Sequence, residues 1–211
     1  ILRSVAKAHK RDSLAAFAKL THDVDGEPRI ISDPPMIVPV EELVRGRVAT
    51  DAEHVFEDHL RLYRDSLPGD RRHLVDRFRY ADFARKVVGV GSVGTRDWIV
   101  LLLGRDDDPL FLQVKEASAS VLAPHIAPSE YDYQGQRIIE GQRLLQAASD
   151  IFLGWFRAEG VDDGVTRDFY VRQLWDWKMD EDIGRMSPSA MRFYGRACGW
   201  TMARAHARSG D

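Results

Sequence analysis

The chain has almost no cysteine and no long apolar run. Cys198 is the only cysteine among 211 residues, which excludes an intrachain disulfide and a metal cluster held by several thiolates. A reducing, cytoplasmic location is therefore expected. The longest apolar runs, such as residues 98–103, are far shorter than the roughly 20 residues of a membrane-spanning helix. No membrane segment is predicted.

Net charge is also small, and lysine is scarce. The 30 basic and 33 acidic residues leave a net charge of −3, which gives no general attraction to nucleic acid or anionic lipid. Only six of the basic residues are lysines, so a lysine inside an apolar strand is conspicuous. Lys115 is that residue. The hydrophobic fraction of 44% is ordinary for a globular protein with a core.

The hydrophobic patterns predict an α+β fold in three sections. Residues 1–80 form a helical front section that includes a short β-hairpin turning at Asp25-Gly26. Residues 81–178 carry a five-stranded antiparallel sheet with one long inserted helix, and residues 179–211 are a hinge followed by a helix that opens at Ser187-Pro188.

Within the first two sections, the spacing of apolar residues sets approximate bounds for each element. Two front helices are predicted over residues 51–66 and 71–83, and the inserted helix over 128–149, with Ile138, Ile139, Leu144 and Leu145 as its buried stripe. The five strands are predicted near residues 86–90, 96–103, 110–115, 151–157 and 168–174.

The segment "VVGVGSVGTR" has a G-x-G-x-x-G pattern formed by Gly89, Gly91 and Gly94. In a dinucleotide-binding fold this pattern opens a helix, but here the strand-like "TRDWIVLLLG" follows. A glycine-rich loop between two antiparallel strands is instead typical of kinases, in which it covers the phosphates of ATP. The pattern therefore predicts a nucleotide-binding loop that also includes Ser92.

In kinases, two strands follow a loop of this type. The second of them carries a lysine, and the helix after that strand carries a glutamate. Lys115 in "PLFLQVKEA" and Glu140 in "QRIIEGQRLLQ" occupy those places. Strand alternation puts Gln113 and Lys115 on one face and Leu112 and Val114 on the other. Lys115 is predicted to hold phosphates and Glu140 to orient Lys115.

Each of these residues also has a plainer interpretation. The glycines suit the turn and bulge of an ordinary hairpin, and Lys115 suits an edge strand, where a charge prevents aggregation. Glu140 suits a solvated helix face on which it pairs with Arg137 or Arg143. The order loop, strand, lysine, helix, glutamate favours the nucleotide site.

The end of the fifth strand is where a kinase hinge would bind the adenine edge through backbone groups. Gln173 and Trp175 are the candidates there. Packing of Trp175 and Trp177 at the joint between lobes is an equal alternative. No metal site is predicted, because the five-residue spacing of His54 and His59 does not put two ligands on one helix face.

Residues 11–211 closely resemble the uncharacterised bacterial family known as domain of unknown function 2252. The resemblance is carried by "AKLTHDVDGEPRIISDPP", "YRDSLPGDRRHLVDRFRYADFARKVVGVGSVGTR", "PLFLQVKEA", "QRIIEGQRLLQAASDIFLGW" and "CGWTMARAHARSGD". It implies that full-length members look like circularly permuted kinases of the aminoglycoside-phosphotransferase type, with "GD-x-H-x-x-N"-like and "DFD"-like loops upstream of this segment. It also implies ATP as cofactor, with Mg²⁺ held by residues outside this chain.

The missing asparagine agrees with that expectation, because a kinase catalytic loop uses an Asn for the metal and this chain has none. His206 and Asp211 in "HARSGD" are interpreted as residues at a helix end. No catalytic residue is therefore expected in the chain, and the fragment is not expected to be active alone.

The resulting hypothesis is an ATP-binding, kinase-like lobe of a phosphotransferase with an unknown small-molecule or protein substrate. The alternative is a pseudokinase-like scaffold module without catalysis. Neither nucleic acid nor a membrane is expected as a partner, and the sequence does not indicate an oligomeric state.

Overall fold

The computed structural model describes residues 13–43, 47–87, 94–159, 163–174 and 183–210, with the backbone alone for 47–53. In chain order the helices and strands are α1 (Ser13–Leu20), β1 (Thr21–Val24), β2 (Glu27–Ile30), β3 (Ile37–Pro39), α2 (Val40–Leu43), α3 (Arg47–Asp65), α4 (Gly69–Val75), β4 (Arg79–Lys86), β5 (Asp97–Leu103), β6 (Pro109–Glu116), α5 (Gln134–Leu145), β7 (Gly154–Glu159), β8 (Thr166–Gln173) and α6 (Pro188–Ser209). Short 3₁₀ turns lie at Arg105–Asp107 and Ile183–Arg185.

The main sheet has six strands in the order β3-β4-β5-β6-β8-β7, and every neighbouring pair is antiparallel. Helix α5 joins β6 to β7, so β8 lies between the two strands that this helix connects. The expected mixed fold is confirmed, but the expected count of five strands is wrong. The strand that was not predicted is β3, which lies at the edge of the sheet and has only three residues. Three residues are too few to show a period of two.

Strand β4 and the helix before it were also predicted at the wrong places. The helix α4 ends at Val75 and β4 runs from Arg79 to Lys86, whereas the sequence predicted a helix through residue 83. Leu74 and Phe78 are four residues apart and both lie against the core, so they imitate a helical stripe. An irregular register after Tyr80 removes the alternation that would have revealed the strand.

Both faces of the sheet are covered, which explains why every residue of β5 is buried. Helix α3 contributes Phe56 and Tyr63 to the core on one face. Helix α1 and β2 contribute Leu20 and Ile30 to the core on the other. The helical front section and the sheet therefore share both hydrophobic cores.

The first hairpin forms as predicted. Thr21 pairs with Ile30 and Val24 with Glu27. Between them Asp25 and Gly26 have φ values of 54° and 85°, the left-handed conformation that this two-residue turn requires.

Helix α5 is shorter than predicted, with 12 residues from Gln134 to Leu145. Ile139 is fully buried, but Leu144 and Leu145 are exposed, so the predicted stripe is wrong at its end. The last turn of α5 borders a cavity in front of α6 instead of the sheet. Helix α6 begins as predicted, with the Ser187 hydroxyl accepting a bond of 3.2 Å from the Ala190 backbone N–H. Among the described residues, no helix is both long and apolar enough to cross a membrane.

Candidate functional site

The glycine-rich segment connects two adjacent antiparallel strands, β4 and β5. Gly94 has a φ of 88°, and a Cβ added there would meet no atom within 4 Å. Its conformation, rather than lack of space, therefore favours glycine. Gly89, Gly91 and Ser92 lie outside the described residues.

Lys115 lies in the interior of the sheet, at the end nearest the glycine-rich segment. It is opposite Asp97 on β5 and Tyr170 on β8, so the edge-strand interpretation is wrong. Its Nζ is 3.3 Å from Asp97 Oδ2. The Lys115 side chain is 23% exposed and that of Asp97 only 3%, so the lysine is partly accessible while the aspartate is almost completely buried. The predicted alternation is confirmed, since Leu112 and Val114 lie in the core of the opposite face.

Glu140 makes a different contact from the predicted one. Its Oε1 accepts a hydrogen bond of 2.8 Å from Arg143, which also donates to the Leu153 carbonyl at 2.7 Å. In the described part of the chain no ion pair joins Glu140 to Lys115. The structure therefore shows the i,i+3 pair with Arg143 that was the plainer interpretation of Glu140.

The start of α5 is fixed to the sheet by a buried carboxylate that the sequence analysis missed. Asp168 Oδ2 accepts from the Gln134 backbone N–H at 2.6 Å, and its other oxygen lies 2.5 Å from Arg157. Asp168 is two residues from Tyr170 and so shares the sheet face of Lys115. The signal available in the sequence was a carboxylate directly before the apolar run "FYV".

A second group of charges fixes the chain just after the glycine-rich segment. Arg96 and Glu116 exchange two hydrogen bonds, in which the Arg96 backbone N–H donates to the Glu116 carboxylate at 3.0 Å and the Glu116 N–H donates to the Arg96 carbonyl at 2.9 Å. The Arg96 guanidinium is 2.5 Å from Asp163, which also binds Arg167 at 2.7 Å. Hydrogen bonds from Arg167, above all, hold the pKa of Asp163 below its ordinary value.

This group ties the exit of the glycine-rich segment to the residue next to Lys115, because Arg96 follows Gly94-Thr95 and Glu116 follows Lys115. The sequence analysis did not identify it. The only indication in the sequence was that Arg96 comes just after the glycine-rich motif and that Glu116 comes just after Lys115.

One further cation lies on the same sheet face as Lys115. Lys86, the last residue of β4, pairs with Ile37, which belongs to the core that also contains Leu20 and Ile30. Burial together with the nearby Lys19 lowers the pKa of Lys86. At the other end, the Gln173 backbone N–H donates to Asp150 Oδ2 at 2.6 Å. Trp175 lies outside the described residues. Within the described ranges no cluster of three or more His, Cys, Asp or Glu side chains is suited to hold a metal ion.

These features define a mixed α+β protein with an antiparallel sheet, a glycine-rich connection and a partly exposed lysine beside it. The chain belongs to a bacterial family described as "Uncharacterized protein conserved in bacteria (DUF2252)", whose sequence profile matches residues 1–211. The resemblance found in the sequence is thereby confirmed at the level of the family. No curated protein and no solved structure matches the chain.

Proposed function

We propose that this chain is the ATP-binding lobe of a kinase-like phosphotransferase. The observation that carries the proposal is the position of Lys115. It lies on an interior strand, beside the strand that follows the glycine-rich segment, and its side chain is partly exposed. A kinase places its phosphate-binding lysine on the corresponding strand.

The order of elements supports the same function. The glycine-rich segment joins β4 to β5, Lys115 lies on β6, and α5 crosses to β7 before the chain returns to β8 beside β6. The helix that should carry the lysine's partner is thus present, and its first turn is fixed to the sheet face of Lys115 through Asp168.

The charge arrangement suggests how the site would respond to a nucleotide. Without ligand, Asp97 neutralises Lys115 and Arg143 neutralises Glu140. A triphosphate carries more negative charge than one carboxylate, so it competes with Asp97 for Lys115. Lys86 adds a second cation to the same face, immediately before the glycine-rich segment.

Catalysis itself is assigned to residues outside this chain. The sequence has no asparagine, and kinases need one, with an aspartate, to hold magnesium and the acceptor hydroxyl. A scaffold module without catalysis is the second candidate. It is favoured by one observation, namely that Lys115 and Glu140 each have a partner other than the one that kinases use.

Calorimetric titration with ATP, with and without Mg²⁺, tests the proposal. Lys115→Met keeps the length of the side chain but removes its charge, and we expect ATP affinity to fall by about tenfold or more, since a hydrogen bond to a charged group contributes about 1.5–3 kcal/mol. Arg105→Gln is the matched control, because Arg105 is 95% exposed and lies in the turn at the opposite end of β5.

Equal ATP binding by the wild-type chain and Lys115→Met would refute the assignment of Lys115. Failure of the wild-type chain to bind ATP at millimolar concentration would favour the scaffold.

A further inference from the structure

The cavity in front of α6 is lined by arginines. Its volume is about 540 Å³, which is within the range of small-molecule sites. It lies between the last turn of α5, the chain after it, Arg172 of β8 and one side of α6. Its lining residues include Asp150, Arg172, Trp200, Arg204 and Arg208.

The positive charge of this cavity comes from two separate elements. Arg204 and Arg208 are one turn apart on α6 and lie on the same face of the helix, while Arg172 comes from the sheet. Within the described ranges none of the three arginines has an ion-pair partner. By contrast, Arg157 and Arg167 each have a carboxylate within 3 Å.

The acid in this cavity lining does not neutralise them. Asp150 accepts from the Phe152 N–H with one oxygen, at 2.8 Å, and from the Gln173 N–H with the other, at 2.6 Å. Its carboxylate is therefore occupied in holding the chain between α5 and β7 to the end of β8. The lining carries three positive charges and one negative charge.

The rest of the lining is suited to the uncharged part of a ligand. The Arg204 guanidinium lies 4.7 Å from the centre of the Trp200 ring, which fixes the orientation of its planar fork. Leu145, Ala147 and Ala148 add apolar surface on the opposite side.

We propose that this cavity binds a phosphate ester, whose phosphate group contacts Arg172, Arg204 and Arg208. A phosphate has up to two negative charges and three acceptor oxygens, and arginine binds it through two parallel hydrogen bonds. A single carboxylate would leave most of this charge unmatched. Lys115 does not line this cavity, although Arg172 and Lys115 lie on the same face of the sheet, two positions apart in the register of β6 and β8.

The test is calorimetric titration with inorganic pyrophosphate, without metal, on four proteins: the wild-type chain, the double variant Arg204→Gln/Arg208→Gln, Lys115→Met and Arg105→Gln. We expect the double variant to lose about tenfold or more in affinity. Arg105→Gln should stay within about twofold of wild type on the same scale of contact energies, and Lys115→Met measures any pyrophosphate that binds at the proposed nucleotide site.

Circular dichroism of the double variant checks that the helices remain, which is expected because α6 has no buried residue. Affinity lost in Lys115→Met but kept in the double variant would overturn the proposal and assign pyrophosphate to Lys115. Absence of saturable binding to the wild-type chain up to about 1 mM, where the Kd corresponds to about −4 kcal/mol, would also overturn it.

Discussion

Replacing Gly135 by alanine should detach the start of α5 from the sheet. A Cβ added at Gly135 would overlap the carbonyl oxygen of Phe169 and come within 2.9 Å of the Trp155 Cβ. The Phe169 carbonyl belongs to β8, which is paired with strands on both sides, so it cannot move aside easily. The helix must move instead, and the bond from the Gln134 N–H to Asp168 is strained or lost.

The magnitude follows from two costs. Overpacking against a fixed backbone costs about 1–3 kcal/mol, and loss of a helix N-terminal hydrogen bond costs about 0.5–2 kcal/mol. We expect the free energy of unfolding of Gly135→Ala to fall by about 2–4 kcal/mol on these principles.

Gly141 in the same helix is the matched control, because a Cβ added there meets nothing within 4 Å. Gly141→Ala removes a flexible residue from the helix and should raise stability by about 0.5–1 kcal/mol. Urea unfolding followed by circular dichroism measures both variants. If Gly135→Ala unfolds at the same urea concentration as wild type, the close approach of α5 to β8 is refuted.

Three further predictions concern buried polar groups. Burial raises the pKa of Asp82 to about 6, above the unfolded value of about 3.9, so the native state holds the proton more tightly. This contribution to stability is present at acid pH and is lost as pH rises through 6. The free energy of unfolding should fall by about 2 kcal/mol between pH 4.5 and 7 because of this carboxyl. Urea unfolding of wild type and of Asp82→Asn should therefore show a different pH dependence of the free energy of unfolding in that window. Asp97→Asn should lower the free energy of unfolding by about 1–3 kcal/mol in the same assay. This is less than the loss from breaking a fully buried ion pair, because Lys115 is partly exposed. Unchanged stability would show that the ion pair does not stabilise the fold. Tyr63→Phe removes a buried hydroxyl that donates to the Phe152 carbonyl at 2.7 Å, and the free energy of unfolding should fall by about 1–2 kcal/mol. An unchanged free energy of unfolding would contradict this hydrogen bond.

Local chemistry in the sequence was enough to place several elements. The Asp25-Gly26 turn depends on two residues that tolerate positive φ, and the cap at Ser187 depends on one hydroxyl and the proline after it. The face of Lys115 followed from the two-residue period of a strand. These features require only neighbours in the chain, which is why the sequence alone predicted them.

The sequence did not predict contacts between distant segments. Strand β3 is too short to show a period, and β4 is disguised by an irregular register. The carboxylate of Asp168 binds residues 11 and 34 positions away, and no local pattern contains such a pairing.

The sequence by itself determined that Lys115 stands on a strand after a glycine-rich segment and that a helix with Glu140 follows. Only the tertiary structure decided which charges these two side chains meet. Asp97 is brought opposite Lys115 by the register of β5 and β6, whereas Glu140 has Arg143 one turn away on its own helix. Ion pairs form between the nearest opposite charges, and which charges are nearest depends on strand register and helix docking, both of which are properties of the folded chain.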